Sequence, residues 1–148
     1  MEIDVQQYLQ LLKDKLLAAP QQFIACAKGW RKPFPQKAGA YVIRQSSRLV
    51  YIGETGNIKE RMGDIVRTCN HTLRRTLGAE MYDGHPGYKK ATSKERFCDE
   101  IEVLLNDFMS TQLTVAFLEI ELGRAELEDF IIRTELPVYN IKKPRKIN

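Results

Sequence analysis

The sequence predicts an α+β fold in which a small three-stranded antiparallel sheet is flanked by helices. Three short runs rich in β-branched and aromatic residues, at 40–43, 49–52 and 113–120, are typical of strands. Longer segments around them repeat apolar residues every three or four positions, as amphipathic helices do. The predicted order is α, β, β, α, α, α, β, α, and a sheet this small needs helices packed on it.

The composition fits a single globular domain spanning residues 1–148. Of these residues, 43% are hydrophobic and 28% are charged, which is ordinary for such a domain. No stretch approaches the ~20 apolar residues of a membrane-spanning helix. The acidic start at Met1–Asp4 is unlike a signal peptide, so we expect a cytoplasmic protein. A net charge of +4 and a pI near 9.0 favour a polyanionic partner over a small-molecule substrate.

An amphipathic helix is predicted near the N-terminus. Asp4 and Gln7 resemble a capping box at its start, and Pro20 ends the periodic pattern. A glycine and two prolines within 28–35 then predict a loop. Residues 1–38 are therefore interpreted as a helix-and-loop extension. The apolar positions of the helix are Val5, Leu9, Leu12 and Leu16.

A β-hairpin and a capped helix are predicted next. The runs 40–43 and 49–52 flank a polar turn, as hairpin strands do. Asn57 followed by Glu60 is typical of a helix start. Arg61 lies at the margin of the apolar stripe of this helix, so it can reach back toward the hairpin.

Two further helices and a third strand are predicted before the last helix. A short basic helix over 71–77 is expected to close at Gly78. Thr92 and Glu95 predict the cap of the next helix. The buried side of that helix is predicted to carry Phe97, Ile101, Leu104, Leu105 and Phe108.

The C-terminal part is predicted to hold the third strand and the last helix. Residues 113–120 alternate in part and favour a strand. Gly123 leads into a helix that Pro137 ends, and Val138–Asn140 are predicted to be extended. The remaining residues, 141–148, form a basic tail.

Two tyrosine-containing triplets stand out on the hairpin. Gly39–Tyr41 and Tyr51–Gly53 place their tyrosines ten residues apart, and Arg61 follows the second tyrosine by another ten. This block resembles the paired signature of the GIY-YIG nuclease superfamily, with alanine in the middle of the first triplet. The resemblance implies that Gly39 and Gly53 support the backbone at the site.

The last helix carries a second block of the same superfamily. Glu128 is followed by Pro137 after nine residues and by Asn140 after twelve, similar to the excision-repair incision nucleases. The resemblance covers residues 39–140, with 66–112 as a weakly matching helical insertion. It implies a DNA endonuclease, whereas composition alone selects none of these residues among 19 acidic and 23 basic ones.

The resemblance implies a role for each member of this catalytic set. Glu128 is expected to bind one Mg²⁺ or Mn²⁺, which would polarise the phosphate and acidify bound water. Tyr41 is expected to activate the water, directly or through the metal, and Tyr51 to orient the scissile phosphate or share that task. Arg61 is expected to stabilise charge on the phosphorane, since guanidinium groups pair with phosphate oxygens. Asn140 is expected to support the site by hydrogen bonding.

The basic residues outside this set predict a nucleic-acid-binding surface. Many superfamily members carry histidine or tyrosine one turn after the arginine, where this chain has Ile65. His71 can compensate only if the chain folds back, and its residue type is equally compatible with phosphate contact or local capping. Candidate nucleic-acid contacts are His71, Arg74, Arg75, Lys89, Lys90, Lys142 and Lys143.

Three alternatives stay open from the sequence. A zinc site can be imagined from two cysteines and two histidines, although their spacing matches no zinc finger or ribbon. A degenerate module of the same superfamily would bind nucleic acid or a protein without cleavage. A structure-selective repair or recombination nuclease could act as a subunit, and a dimer is compatible with the small size. The imagined zinc ligands are Cys69, His71, His85 and Cys98.

Overall fold

The fold is known from a computed structural model of the chain, which describes residues 4–140. These residues form five α-helices and four strands, with a short 3-10 turn after the second helix. The helices are α1 (Val5–Ala18), α2 (Ile58–Ile65), α3 (Thr72–Tyr82), α4 (Asp99–Gln112) and α5 (Arg124–Glu135). The strands are β1 (Gln22–Phe23), β2 (Gly39–Gln45), β3 (Arg48–Thr55) and β4 (Leu113–Glu119), and the 3-10 turn is Thr68–Asn70.

The sheet is antiparallel with strand order β1-β4-β2-β3. The predicted hairpin is present, and its register places Tyr41 opposite Gly53. The expected count of three strands is wrong by one, because the two-residue strand β1 pairs with β4 through Gln22 and Val115. Two residues carry no periodicity that a sequence pattern can reveal.

Helices cover both faces of the sheet. Alternate residues of a strand point to opposite faces. Tyr41 and Ile43 therefore pack with α2, α3 and α4, while Ala40 and Val42 pack with α1 and α5. Every residue of β2 except the last is buried. Tyr41 on this central strand is therefore enclosed between the sheet and the helices α2, α3 and α4.

The predicted N-terminal helix is confirmed and belongs to the core. The Asp4 carboxylate accepts a hydrogen bond from the backbone N–H of Gln7 at 2.9 Å, which caps α1. Leu16 is fully buried in the same cluster as the inner side of α5. Lys13 also pairs with Glu135 of α5 at 3.1 Å. Helix α1 therefore supports α5, the helix that carries Glu128.

The predicted end of α3 and start of α4 are wrong. Helix α3 continues through Gly78 to Tyr82. Instead of ending the helix, the glycine makes room for the Phe97 ring, with which a β-carbon at position 78 would collide. Thr92 does accept hydrogen bonds from the backbone N–H groups of residues 94 and 95, but this closes a turn. Helix α4 begins only at Asp99.

Two smaller predictions, one within α4 and one after α5, are also wrong. Leu104 was expected on the buried side of α4 but is 41% exposed, whereas Met109 is buried. Residues 138–140 form a turn, in which the backbone N–H of Asn140 donates to the carbonyl of Pro137 at 3.0 Å. Within residues 4–140, no helix is both long enough and apolar enough to cross a membrane.

Replacing Leu16 with alanine should lower the free energy of unfolding by about 2–5 kcal/mol, since it leaves a cavity between α1 and the sheet. The matched control is Leu11→Ala on the same helix, where the leucine is 45% exposed and the expected loss is below about 1 kcal/mol. Equilibrium unfolding in urea measures both. Equal losses for the two variants would show that α1 does not form part of the core.

Candidate active site at the edge of the sheet

Glycines bring the backbone close to the Tyr41 side chain. Tyr41 is fully buried, and its phenol ring lies over Gly53 of the neighbouring strand. A β-carbon at position 53 would overlap the ring and hydroxyl, so this close approach requires glycine. Gly39 is equally crowded by the carbonyl of Leu118 and the side chain of Ile58. Steric crowding therefore explains why each of the two triplets contains a glycine.

The Tyr41 hydroxyl is the centre of a polar cluster inside the core that α2, α3 and α4 form against the sheet. Arg61 Nε donates to it at 3.3 Å, and His71 Nε2 lies 2.8 Å from it. The Tyr51 ring packs beside both, with its centroid 6.0 Å from that of Tyr41 and 5.2 Å from that of His71. The structure thus brings the two predicted tyrosines and the predicted arginine together.

The chain folds back after α2, and this places His71 in the cluster. His71 is buried and caps α3, because its Nδ1 accepts a hydrogen bond from the backbone N–H of Leu73 at 3.1 Å. Ile65 is itself buried in the core and supplies no polar group there. Of the two roles left open for His71, capping is realised, and burial keeps its ring from contacting a phosphate in this conformation.

Burial controls the protonation of the cluster. It raises the pKa of Tyr41 and of Tyr51 above their ordinary value. Burial, together with the charges of Arg61 and Arg75, lowers the pKa of His71 to about 3. At neutral pH the cluster therefore holds two protonated phenols, a neutral imidazole and the positive charge of Arg61.

This burial bears on the expectation that Tyr41 activates water, directly or through the metal. Direct activation of water by Tyr41 requires contact with solvent, and its side chain has none in this structure. Tyr51 is only partly buried, so it is the tyrosine of the pair with access to solvent. In this conformation Tyr41 is separated from solvent by its neighbours.

The outer edge of β3 holds the predicted carboxylate and amide. The Asn140 side chain accepts from the backbone N–H of Ile52 at 2.7 Å and donates to the carbonyl of the same residue at 2.8 Å. Two residues on, the backbone N–H of Glu54 donates to Glu128 Oε2 at 3.0 Å. These contacts place Glu128 and Asn140 beside the strand that carries Tyr51.

The other acidic side chains near Glu128 have different surroundings. Asp129 pairs with Arg133 at 2.9 Å, and Glu126 is exposed in the first turn of α5. Glu54 pairs with Arg124 at 3.1 Å. The sequence gives no sign of this pair or of the Glu54 backbone contact, because 70 and 74 residues separate the partners.

The residues present fit a Mg²⁺ site better than a zinc site. Mg²⁺ keeps several water ligands and needs only one or two carboxylates from the protein. Glu128 can supply one such carboxylate, because it lines an open groove that Asn140 also lines. Across residues 4–140, no group of three or more His, Cys, Asp or Glu side chains is arranged to hold a metal. The imagined zinc site does not form, since both ring nitrogens of His71 are engaged elsewhere.

The expected nucleic-acid contacts divide into two groups. Arg74 is a correction: it is buried, pairs with Glu102 at 2.8 Å and donates to Asn106 at 2.8 Å, so it ties α3 to α4. Lys89 pairs with Glu95 at 3.0 Å but is exposed, so it stays a candidate.

The remaining basic residues stay candidates. Arg75 is partly exposed and donates to the carbonyl of Thr68 at 2.9 Å. Lys90 is exposed on the loop that follows α3. Lys142 and Lys143 lie outside the described residues, as does the whole predicted tail 141–148.

The fold and this cluster define a domain of the GIY-YIG nuclease class. The model of the GIY-YIG catalytic domain family matches residues 23–148 of the sequence. The chain therefore belongs to the GIY-YIG catalytic domain family. The match begins before the first tyrosine triplet and includes the helical segment between α2 and β4. No curated protein matches the sequence.

Solved structures with a related fold come from the GIY-YIG N-terminal endonuclease domain of UvrC from Thermotoga maritima. The form bound to magnesium as its catalytic divalent cation is 15% identical, with 89% of this chain and 98% of that chain covered and a TM-score of 0.37. A tyrosine-to-phenylalanine mutant of the same domain is 14% identical, with 90% and 98% covered and a TM-score of 0.38. Because these identities and TM-scores are low, the assignment to the family depends on the match to the family model alone.

Replacing His71 with asparagine should change how stability depends on pH. In the folded protein the imidazole stays neutral down to about pH 3, but in the unfolded chain it takes up a proton near pH 6.5. Stability linked to His71 is therefore lost as the pH falls through this window. Between pH 6.5 and about pH 5, wild type should lose about 1.5 kcal/mol more than the variant. Urea unfolding at both pH values tests this, and parallel losses would contradict the buried neutral histidine.

Proposed function

We propose that this chain is an endonuclease that hydrolyses DNA phosphodiester bonds with one divalent cation and the set Tyr41, Tyr51, Arg61 and Glu128. One observation supports the proposal most. The hydrogen bond from Glu54 to Glu128 brings a carboxylate from the last helix to the strand of Tyr51. In the proposal, this carboxylate, the Arg61 guanidinium and the Tyr51 phenol act on the same scissile phosphate.

Each side chain has a role that its surroundings allow. Arg61, about one-third exposed at its side chain, offers paired donors to phosphate oxygens. Tyr51, the partly exposed phenol, orients the scissile phosphate through its hydroxyl. Tyr41 lies behind them and holds the Arg61 side chain through the 3.3 Å hydrogen bond.

Glu128 is the proposed ligand of Mg²⁺ or Mn²⁺, and Asn140 holds its surroundings in place. When bound, the cation would polarise the phosphate and make coordinated water more acidic. Asn140 satisfies both backbone groups of Ile52 and so fixes the edge of β3 beside the carboxylate.

The DNA surface is proposed to include Arg75, Lys90, Lys142 and Lys143. Of these four residues, Arg75 is the one that the structure best supports as part of the DNA surface. It lies on α3, close enough to His71 for its charge to lower the pKa of that histidine. Its guanidinium is therefore near the catalytic cluster. Cytoplasmic location and oligomeric state stay predictions from the sequence.

A second candidate function is binding without cleavage. Two observations favour it: Ile65 occupies the position where many superfamily members have a titratable group, and Tyr41 is wholly buried. Supercoiled DNA incubated with Mg²⁺, with EDTA in parallel, separates the two functions. Branched, nicked and linear substrates compared in the same assay test a structure-selective nuclease.

Replacing Glu128 with alanine should abolish Mg²⁺-dependent nicking, with a loss of at least about 100-fold, because the cation loses its carboxylate. Glu126→Ala on the same helix is the matched control and should cut like wild type. Mn²⁺ titration followed by electron paramagnetic resonance gives a readout without DNA, in which only Glu128→Ala should weaken binding. Cleavage by folded Glu128→Ala at the wild-type rate would refute the site.

Binding of a DNA duplex should weaken steeply with salt, since basic groups displace counterions from phosphates. Replacing Arg75 with alanine should reduce the slope of log K against log salt by about 1, the loss of one phosphate contact. Lys15→Ala is the control, because that exposed lysine lies by β4, away from the β3 edge. Fluorescence anisotropy over a salt series measures the slopes, and an unchanged slope for Arg75→Ala would remove it from the interface.

A further inference from the structure

His71 has a fixed tautomer because it caps a helix. A neutral imidazole carries one N–H donor and one acceptor nitrogen. Its Nδ1 accepts the backbone N–H of Leu73 at 3.1 Å, so the proton resides on Nε2. Nε2 lies 2.8 Å from the Tyr41 hydroxyl, and this contact is therefore a hydrogen bond that His71 donates.

The Tyr41 hydroxyl consequently receives two hydrogen bonds. Arg61 Nε, which always carries its proton, is the second donor at 3.3 Å. Both lone pairs of the Tyr41 oxygen are then occupied, and its own proton must be donated outward. The phenol of Tyr51 lies beside Tyr41, with ring centroids 6.0 Å apart, and is the acceptor to which the proposed chain continues.

We propose that His71 is a positioning residue that sets the direction of a hydrogen-bond chain running from His71 through Tyr41 to Tyr51. With its oxygen accepting from Tyr41, Tyr51 presents its hydroxyl proton to the scissile phosphate as a donor. This assignment rests on the proposed nuclease function for its last step only. His71 itself neither touches the substrate nor accepts a proton.

The position of His71 in the fold explains how this chain can have the apolar Ile65 where many superfamily members have histidine or tyrosine. The 3-10 turn after α2 returns the chain toward the sheet, where Asn70 meets Arg61 at 3.4 Å through its carbonyl. The next residue, His71, caps α3 and packs its ring against those of the two tyrosines. A helix start thus supplies, from another element, a group that contacts the Tyr41 hydroxyl.

The nitrogen chemical shifts of His71 in the full-length protein test the direction of the chain without DNA. Long-range ¹H–¹⁵N correlation spectra should show a neutral ring protonated at Nε2 from about pH 8 down to about pH 5. The groups facing the ring are Arg61, Arg75, Tyr41 and Tyr51, none of which changes charge in that interval. A ring protonated at Nδ1, or an imidazolium at pH 6, would overturn the proposal.

Two substitutions separate positioning from capping. His71→Asn retains an acceptor for Leu73 but loses the donor to Tyr41, whereas His71→Gln retains a donor at about the distance of Nε2 and weakens the cap. We expect kcat for DNA nicking to fall about 100-fold in His71→Asn with KM little changed, and to recover at least in part in His71→Gln. The reverse order, or equal kcat values, would show a structural role only.

A double mutant distinguishes action through Tyr41 from an independent effect. If His71 acts through Tyr41, adding His71→Asn to Tyr41→Phe should change kcat less than about twofold, because the hydroxyl it serves is gone. Additive losses of kcat in the double mutant would contradict the proposed hydrogen-bond chain. Should wild type nick no DNA, the proposed nuclease function fails, while the nitrogen shifts still decide whether His71 donates to Tyr41.

Discussion

The outer edge of β3 carries backbone groups that must find partners, and the last helix with the turn after it supplies them. An uncovered edge strand would leave a row of unpaired N–H and carbonyl groups. Here Asn140 binds Ile52 through both of its amide atoms, and Glu128 accepts from Glu54. A requirement of sheet stability thereby fixes where the proposed cation ligand lies.

The tyrosine cluster depends on the same strand from its inner side. Gly53 lets Tyr41 lie flat against β3, and Tyr41 in turn holds Arg61 and His71. Burying these polar groups would cost several kcal/mol if they lacked partners. The hydrogen bonds among them offset that cost and also orient them. Order at the site thus follows from satisfying buried polar atoms.

What the sequence could predict was local or carried by the family motif. The caps at Asp4 and Asn57 were predictable because each uses residues three positions apart. The glycine-tyrosine triplets identified the hairpin and its chemistry. The Arg74–Glu102 pair and the His71–Tyr41 contact join residues about thirty positions apart. Such contacts follow from packing, so the sequence could not predict the burial of Arg74 or choose between the roles left open for His71.

The order of elements along the chain has a consequence during synthesis on the ribosome. Domains tend to fold from the N-terminus as they emerge. The hairpin with its tyrosines is made early, but the edge of β3 stays open until 124–140 has left the exit tunnel. A nascent chain therefore lacks the carboxylate that cleavage is proposed to need. Completing the sheet edge and bringing the proposed cation ligand to it would therefore be a single step of folding.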